Sequence, residues 1–294
     1  MNEILVILIR GAGVGSLYAL IAMSLNLAYN ATGVLNFAQG HLLVTAGVCT
    51  YLWMPNGAGT ASPVWYLTLV AVIVATAVVG VIQGLITLIP MRRDGGSHSW
   101  VATTIAGSIV LGALITLWIG PQVVNVPNYF GFVPLPDGRV PGVYPMLMVL
   151  ALVVWAGLRW YQSSFLSGLA LNALSQDVDA ARAAGVPALR FQMLAFGIAA
   201  AITAAAGFIG ASAVEISGSR GTNYVIFGFI VAVIGGIGNN KGALIAGPLF
   251  GVLMMYVSFE LGGGLQVVTA LAVIVAVLLL RPQGIFGRPH ARRV

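Results

Sequence analysis

The chain reads as blocks of apolar residues broken by short polar stretches. Nine apolar segments can be marked, at about 4–29, 40–54, 64–89, 99–119, 143–159, 191–213, 223–237, 243–260 and 265–280. Several reach the roughly 18 residues that a helix needs to cross about 30 Å of hydrocarbon. Backbone N–H and C=O groups find no water there and must be satisfied within the chain, so helices are expected. A barrel would need segments of about ten residues with alternating polarity, which the long Val/Ala/Leu/Ile blocks lack. The expected fold is an all-α membrane protein, a single domain over residues 1–294 forming a polytopic bundle of eight to nine transmembrane helices with broken or re-entrant segments. The segments at 40–54 and 223–237 are short for a full crossing and are the candidates for the broken ones.

Composition agrees. Of the 294 residues 59% are hydrophobic and 7% charged, with mean hydropathy +1.00, outside the balance of a soluble domain. The net charge of +6 comes from Lys and Arg scattered singly over the loops, which is no basic stripe for nucleic acid. Charge instead reports topology, because basic residues in short loops stay cytoplasmic. With the loops near 90–98 and 160–190, the turn at 238–242 and the tail after 280 inside, the cytoplasm receives Arg92, Arg93, Arg159, Arg182, Arg190, Lys241, Arg281, Arg288, Arg292 and Arg293. Those are ten of the thirteen Lys and Arg; Arg139 and Arg220 fall outside and Arg10 within or near the end of the first helix. The C-terminus is expected in the cytoplasm. The N-terminus is outside if all nine segments cross and inside if 40–54 only dips in; outside is the reading preferred. The first segment starts after Met-Asn-Glu with no basic region and is longer than a signal-peptide core, so an uncleaved helix is expected. Cys49, the only cysteine, lies in an apolar run and reads as packing.

Candidate chemistry is sparse. His41, His98 and His290 are far apart, and neither H-E-x-x-H nor G-x-S-x-G occurs, so no catalysis, cofactor or metal is expected. The run Gly235 to Gly242 (GGIGNNKG) lacks the G-x-x-x-x-G-K-[ST] spacing of a phosphate loop; an ATPase, if one powers this chain, is a separate polypeptide. Two stretches interrupt apolar helices with Gly and Asn: Gly33 to His41 (GVLNFAQGH) and Gly235 to Gly242. Such breaks free backbone groups and mark a transport pathway, or they are tight turns. The pathway candidates are Asn30, Asn36, Gln39, His41, Gly235 and Gly236. Asn26 and Asn30 share a helix face and either line a conduit or bond helix to helix. Gly11 with Gly15, and Gly80 with Gly84, have the G-x-x-x-G spacing of close helix packing.

Two loops stand out. The external one, about 120–142, is rich in Pro, Gly and Asn and carries Tyr129, Phe130 and Phe132; it reads as an ordered cap whose aromatics sit at the membrane interface or meet an external partner. The longest cytoplasmic loop, about 160–190, contains helix formers from Leu171 onward that stop at Gly185-Val186-Pro187. A short helix parallel to the membrane is expected there, with Asp177, Asp179 and Arg182 presented either to water or to a socket in another protein.

Four stretches in order carry a nearly full-length resemblance: GSLYALIA from Gly15 with the following VLNFAQGH; DAARAAGV from Asp179; AVIGGIGNNKGALIAGPLFG; and LRPQGIFG from Leu280. The chain resembles the inner-membrane permeases of branched-chain amino acid ABC importers, the LIV type, and its compact length is similar to the first of the two paired permeases. The resemblance implies a second permease subunit, two cytoplasmic ATPase subunits and an external substrate-binding protein, in a multi-pass assembly of the bacterial inner membrane that works by alternating access. It also implies that Asp177, Asp179, Ala180, Arg182 and Gly185 belong to the element that couples to the ATPases. Around the N-F-A-x-G motif relatives often carry a further acidic or basic residue, where this chain has Gln39 and His41. Relatives of this type also carry urea, short amides or other small polar metabolites. A stand-alone carrier or channel for a small neutral solute such as urea is the alternative.

Overall fold

The computed structural model describes residues 2–54, 59–93, 99–135 and 138–287. His98, Arg288, His290, Arg292 and Arg293 lie outside the described residues, as do the side chains of Arg92 and Arg93. The elements in order are α1 (Asn2–Thr32), α2 (Gln39–Trp53), α3 (Pro63–Arg93), α4 (Ser99–Ile119), strands β1 (Phe132–Leu135) and β2 (Gly138–Pro141), α5 (Val143–Ser164), α6 (Leu166–Gln176), α7 (Val178–Ala183), α8 (Ala188–Gly210), α9 (Gly221–Gly235), α10 (Asn240–Leu261), a 3₁₀ turn (Gly263–Leu265) and α11 (Gln266–Leu280).

All nine apolar segments are helices, so the expected all-α polytopic fold stands. Among the described residues seven helices are long and apolar enough to cross a membrane. The expected count of eight to nine crossings is not reached by length: α2 and α9 have 15 residues each, about 22 Å at 1.5 Å per residue. They are the two segments whose shortness was visible in the sequence.

Helix α8 is two-thirds buried over its apolar window, whereas α11 is almost wholly exposed. The core therefore sits where α8, α1, α2 and α9 meet, with α4 and α11 at the edge. Small residues set how close these helices come. A Cβ added to Gly15 would strike the Gly247 carbonyl, and one on Gly251 would strike Gly11; α1 and α10 thus cross backbone to backbone. On α3, Gly80 and Gly84 instead make room for side chains of α8, Ala200 and Phe196 respectively. Cys49 is buried in the main core cluster.

The loop at about 120–142, expected outside, contains a two-stranded antiparallel hairpin with Phe132 opposite Pro141. Earlier in that loop, Val124 bridges Ile216 in the 211–220 connection. The loop at about 160–190 differs from expectation. In place of one helix over 171–187 there are two, because Asp177 is extended (φ −156°, ψ 113°) and its carboxylate accepts from the Asp179 and Ala180 N–H groups. That N-cap starts α7 and so ends α6. The expected stop holds: Gly185 has φ +87°, and Val186 N–H donates to the Ala181 carbonyl at 3.0 Å, the 6→1 bond of a Schellman ending.

Candidate functional site

Between α1 and α2 the chain is unwound over residues 33–38, starting at Gly33 with φ +71°. Val34, Asn36 and Ala38 are buried, Leu35 and Phe37 are half-buried, and Phe37 packs on the core with its ring 6.4 Å from that of Trp100 and 6.3 Å from that of Phe229. Asn36 shapes the break, its Oδ1 accepting from Ala38 N–H at 3.1 Å and its Nδ2 donating to Gln39 Oε1 at 3.3 Å. Gln39 Nε2 donates to the Ala199 carbonyl at 2.8 Å and to Thr203 Oγ1 at 2.5 Å. Thr203 in turn reaches Ser24 Oγ at 3.1 Å. One amide network thus ties the break to α8 and α1, as amides buried away from water require.

His41, in the first turn of α2, completes the fastening. Its Nδ1 lies 2.7 Å from Ser108 Oγ of α4 and its Nε2 3.1 Å from the Gly218 carbonyl. Helix α9 starts against it: a Cβ on Gly221 would lie 2.5 Å from the His41 ring. Both short helices therefore begin at the same place, held by one imidazole that also grips α4.

The second interruption is a turn between α9 and α10. Gly236 and Gly238 have φ +87°, and Asn239 caps α10 by accepting from Gly242 N–H at 3.1 Å. A Cβ on Gly235 would lie 2.5 Å from the Gly242 carbonyl carbon and one on Gly236 2.8 Å from Gly287. The closing motif straps this turn, with Ile285 N–H donating to the Ile234 carbonyl at 2.8 Å. Asn26 and Asn30 hold it from the other side. Gly238 N–H donates to Asn26 Oδ1 at 2.8 Å, and Asn30 Nδ2 donates to the Gly238 carbonyl at 3.0 Å. Of the six pathway candidates, Asn36, Gln39 and His41 share one buried locus, while Asn30, Gly235 and Gly236 share another, where Asn30 lines a cavity. Ser24, Ser108, Thr203 and the Gly218 carbonyl were not singled out from sequence. The available signal was that Ser24, Ser108 and Thr203 are hydroxyls inside apolar helices, where such groups seek a partner.

Helix α7 stands at the surface. Asp177, Asp179, Ala180, Arg182 and Gly185 are all exposed, while Ala181 is buried in a small cluster with Leu174 of α6 and Ala188 of α8. Asp179 and Arg182 pair at 3.2 Å.

Comparison with known proteins decides the family. The model described as "Branched-chain amino acid transport system / permease component" matches residues 7–281. The chain belongs to this family. It is 27% identical to the high-affinity branched-chain amino acid transport system permease protein BraD of Pseudomonas aeruginosa, covering 98% of this chain and 97% of that protein. It is 26% identical to the permease LivH of Escherichia coli, over 97% and 96% of the two chains. The probable LivH permease of Methanocaldococcus jannaschii is 27% identical, over 92% and 89%. No solved structure matches the chain. This permease is thus a transporter component by family, with the unwound segment and the exposed α7 as its two unusual features.

Proposed function

We propose that the chain is one permease subunit of an ATP-driven importer that moves branched-chain amino acids, or a related small polar solute, across the bacterial inner membrane. In this reading the ATPases are two separate cytoplasmic subunits, a second permease completes the pathway, and an external binding protein delivers the solute. The observation that carries it is the pairing of an exposed α7 with a helix that leads to the break. Ala181 anchors α7 onto the start of α8, and α8 presents Ala199 and Thr203 to Gln39. A push on Asp177, Asp179, Ala180, Arg182 and Gly185 would reach the unwound segment through one helix.

The solute would pass beside the unwound segment 33–38, with Asn36, Gln39 and His41 fixing its backbone. Asn30 and the Gly235–Gly236 turn would form the inner mouth. Orientation follows from the two ends of the bundle. Arg159 and Lys241 lie with the C-terminal end of α1 and with Gly287, whereas the start of α1 lies with the hairpin. With the basic end cytoplasmic, the described C-terminal strap is inside and the N-terminus outside.

The test is uptake in proteoliposomes containing this permease with its neighbouring permease, ATPases and binding protein, with leucine and urea as solutes. ATP-dependent leucine uptake is expected. Uptake of urea alone would change the cargo, and solute entry through this chain alone without ATP would overturn the importer reading.

A further inference from the structure

At the end of the bundle that carries Arg159 and Lys241, a cavity of about 930 Å³ opens between α1, α5, α6 and the α9–α10 turn. No acidic side chain lines it, and neither cation forms an ion pair with any described residue. The Arg159 guanidinium stands 5.9 Å from the centre of the Trp155 ring, which orients it without neutralising it. The first turn of the 22-residue α10 contributes Asn240 and Lys241 to the wall, and the positive end of a helix favours an anion there. Two cations with no ion-pair partner and no acidic side chain beside them among the described residues ask for an anion.

The flank of the cavity separates possible anions. Leu169, which lines it, is 47% exposed, and Leu166 one turn earlier is 86% exposed. Trp160 and Phe165 pack edge to face at 5.1 Å at the α5–α6 corner, both exposed. Inorganic phosphate has no use for this apolar shelf. A phosphodiester carrying acyl chains does, and indole rings favour the headgroup layer. We propose that the cavity binds the headgroup of an anionic phospholipid, with Arg159 and Lys241 on the phosphate. Because Asn30, Gly238 and Asn239 line the same walls, the bound lipid also sits at the inner mouth of the proposed pathway, and on that reading it closes the mouth and must move aside for solute to leave.

The experiment uses the full chain, delipidated in neutral detergent, with phosphatidylglycerol or phosphatidylcholine added back and adducts counted by native mass spectrometry. One phosphatidylglycerol is expected to bind in clear preference to phosphatidylcholine and to resist millimolar inorganic phosphate. The double variant Arg159→Gln, Lys241→Gln should bind it about thirtyfold more weakly, from about fivefold per cation near a lipid surface. Arg190→Gln, which removes an exposed cation outside the cavity, should bind as the parent does. Equal binding of the two lipids overturns the proposal. So does displacement by phosphate, which would make the ligand a soluble anion. Full lipid binding by the double variant together with loss of a co-purifying protein partner would reassign the cavity to a protein surface. The lipid comparison and the phosphate competition need no variant, so a double variant that fails to fold leaves the proposal open to refutation.

Discussion

Changing glycine to alanine at two helical positions should move stability in opposite directions. Gly11 lies in α1 where it meets α10. A Cβ there would sit 2.6 Å from Val252 Cα and 3.0 Å from the Gly251 carbonyl oxygen. Carbon atoms in contact prefer about 3.5–4.0 Å, so the Gly11→Ala backbones must part by about 1 Å. Because Gly15, Gly247 and Gly251 interlock along the same crossing, that separation cannot stay local. Overpacking of this kind costs about 1–3 kcal/mol, offset by about 0.5–1 kcal/mol from replacing a helical glycine. Gly157, within α5, has nothing within 4 Å of its added Cβ, so Gly157→Ala keeps only the favourable term. Thermal unfolding of the purified chain in one detergent should therefore show a loss of roughly 2–8 °C for Gly11→Ala, at about 2–4 °C per kcal/mol for chains of this size. Gly157→Ala should match or exceed the parent. A Gly11→Ala protein as stable as the parent would refute the close α1–α10 crossing, and with it the reading of Gly11 and Gly15 as a packing motif.

Three further outcomes are expected. Asn26→Ala removes the fully buried acceptor of the Gly238 N–H and should cost about 1–3 kcal/mol, measured by thermal unfolding; an unchanged midpoint would mean that the turn is held by the C-terminal strap alone. Gln39→Leu and Thr203→Val, which touch at 2.5 Å, should be non-additive by about 0.5–3 kcal/mol in a double-mutant cycle, and simple additivity would show that the break is not tied to α8 through this pair. Asp177→Ala should weaken α7 by about 0.5–2 kcal/mol while Asp177→Asn keeps the cap; in the importer reading, pull-down of the ATPases should fall for Asp179→Lys and stay near the parent for Asp177→Asn, and the reverse pattern would assign the docking contact to Asp177.

Much of the fold was legible because the bilayer enforces a simple grammar. The nine apolar segments are the nine apolar helices, and the two that fell short of a crossing, 40–54 and 223–237, are the 15-residue α2 and α9. The G-x-x-x-G pairs were legible too, although their partners were not: nothing in one segment says that Gly15 meets Gly247 while Gly80 meets Ala200. The split of the cytoplasmic loop at Asp177 was missed because the helix-forming run around it hid an N-cap in plain view, with Asp177 standing before Val178-Asp179-Ala180. Sequence left open whether Gly33–His41 and Gly235–Gly242 were breaks or turns. Gly and Asn permit both, and the backbone distinguishes them: residues 33–38 run unwound between two helices, whereas Gly236 to Asn239 close on themselves, Asn239 N–H donating to the Gly236 carbonyl at 2.9 Å.

Its partners give α8 a particular place in the molecule. Its first residue, Ala188, packs with Ala181 of the exposed α7, and fifteen positions on, about 22 Å along a helix, Thr203 meets both Gln39 and Ser24. Protein interiors are packed tightly enough to transmit displacement with little loss, and α8 is the most buried of the long helices, so it has little room to bend. Gly80 lets α3 approach Ala200 of α8, and Gly84 makes room for the buried Phe196 ring, which keys the two helices together. A shift of α7 would then arrive at the unwound segment as a shift of the Gln39 amide. Residues 33–38 have no continuous helical hydrogen-bond ladder to hold them; Asn36 and the Phe37 ring, packed beside Trp100 and Phe229, fix them instead. An intact helix in that position would resist the same displacement with its whole ladder of backbone hydrogen bonds, so the importer reading expects the unwound segment, not a helix, to take up a shift of α8.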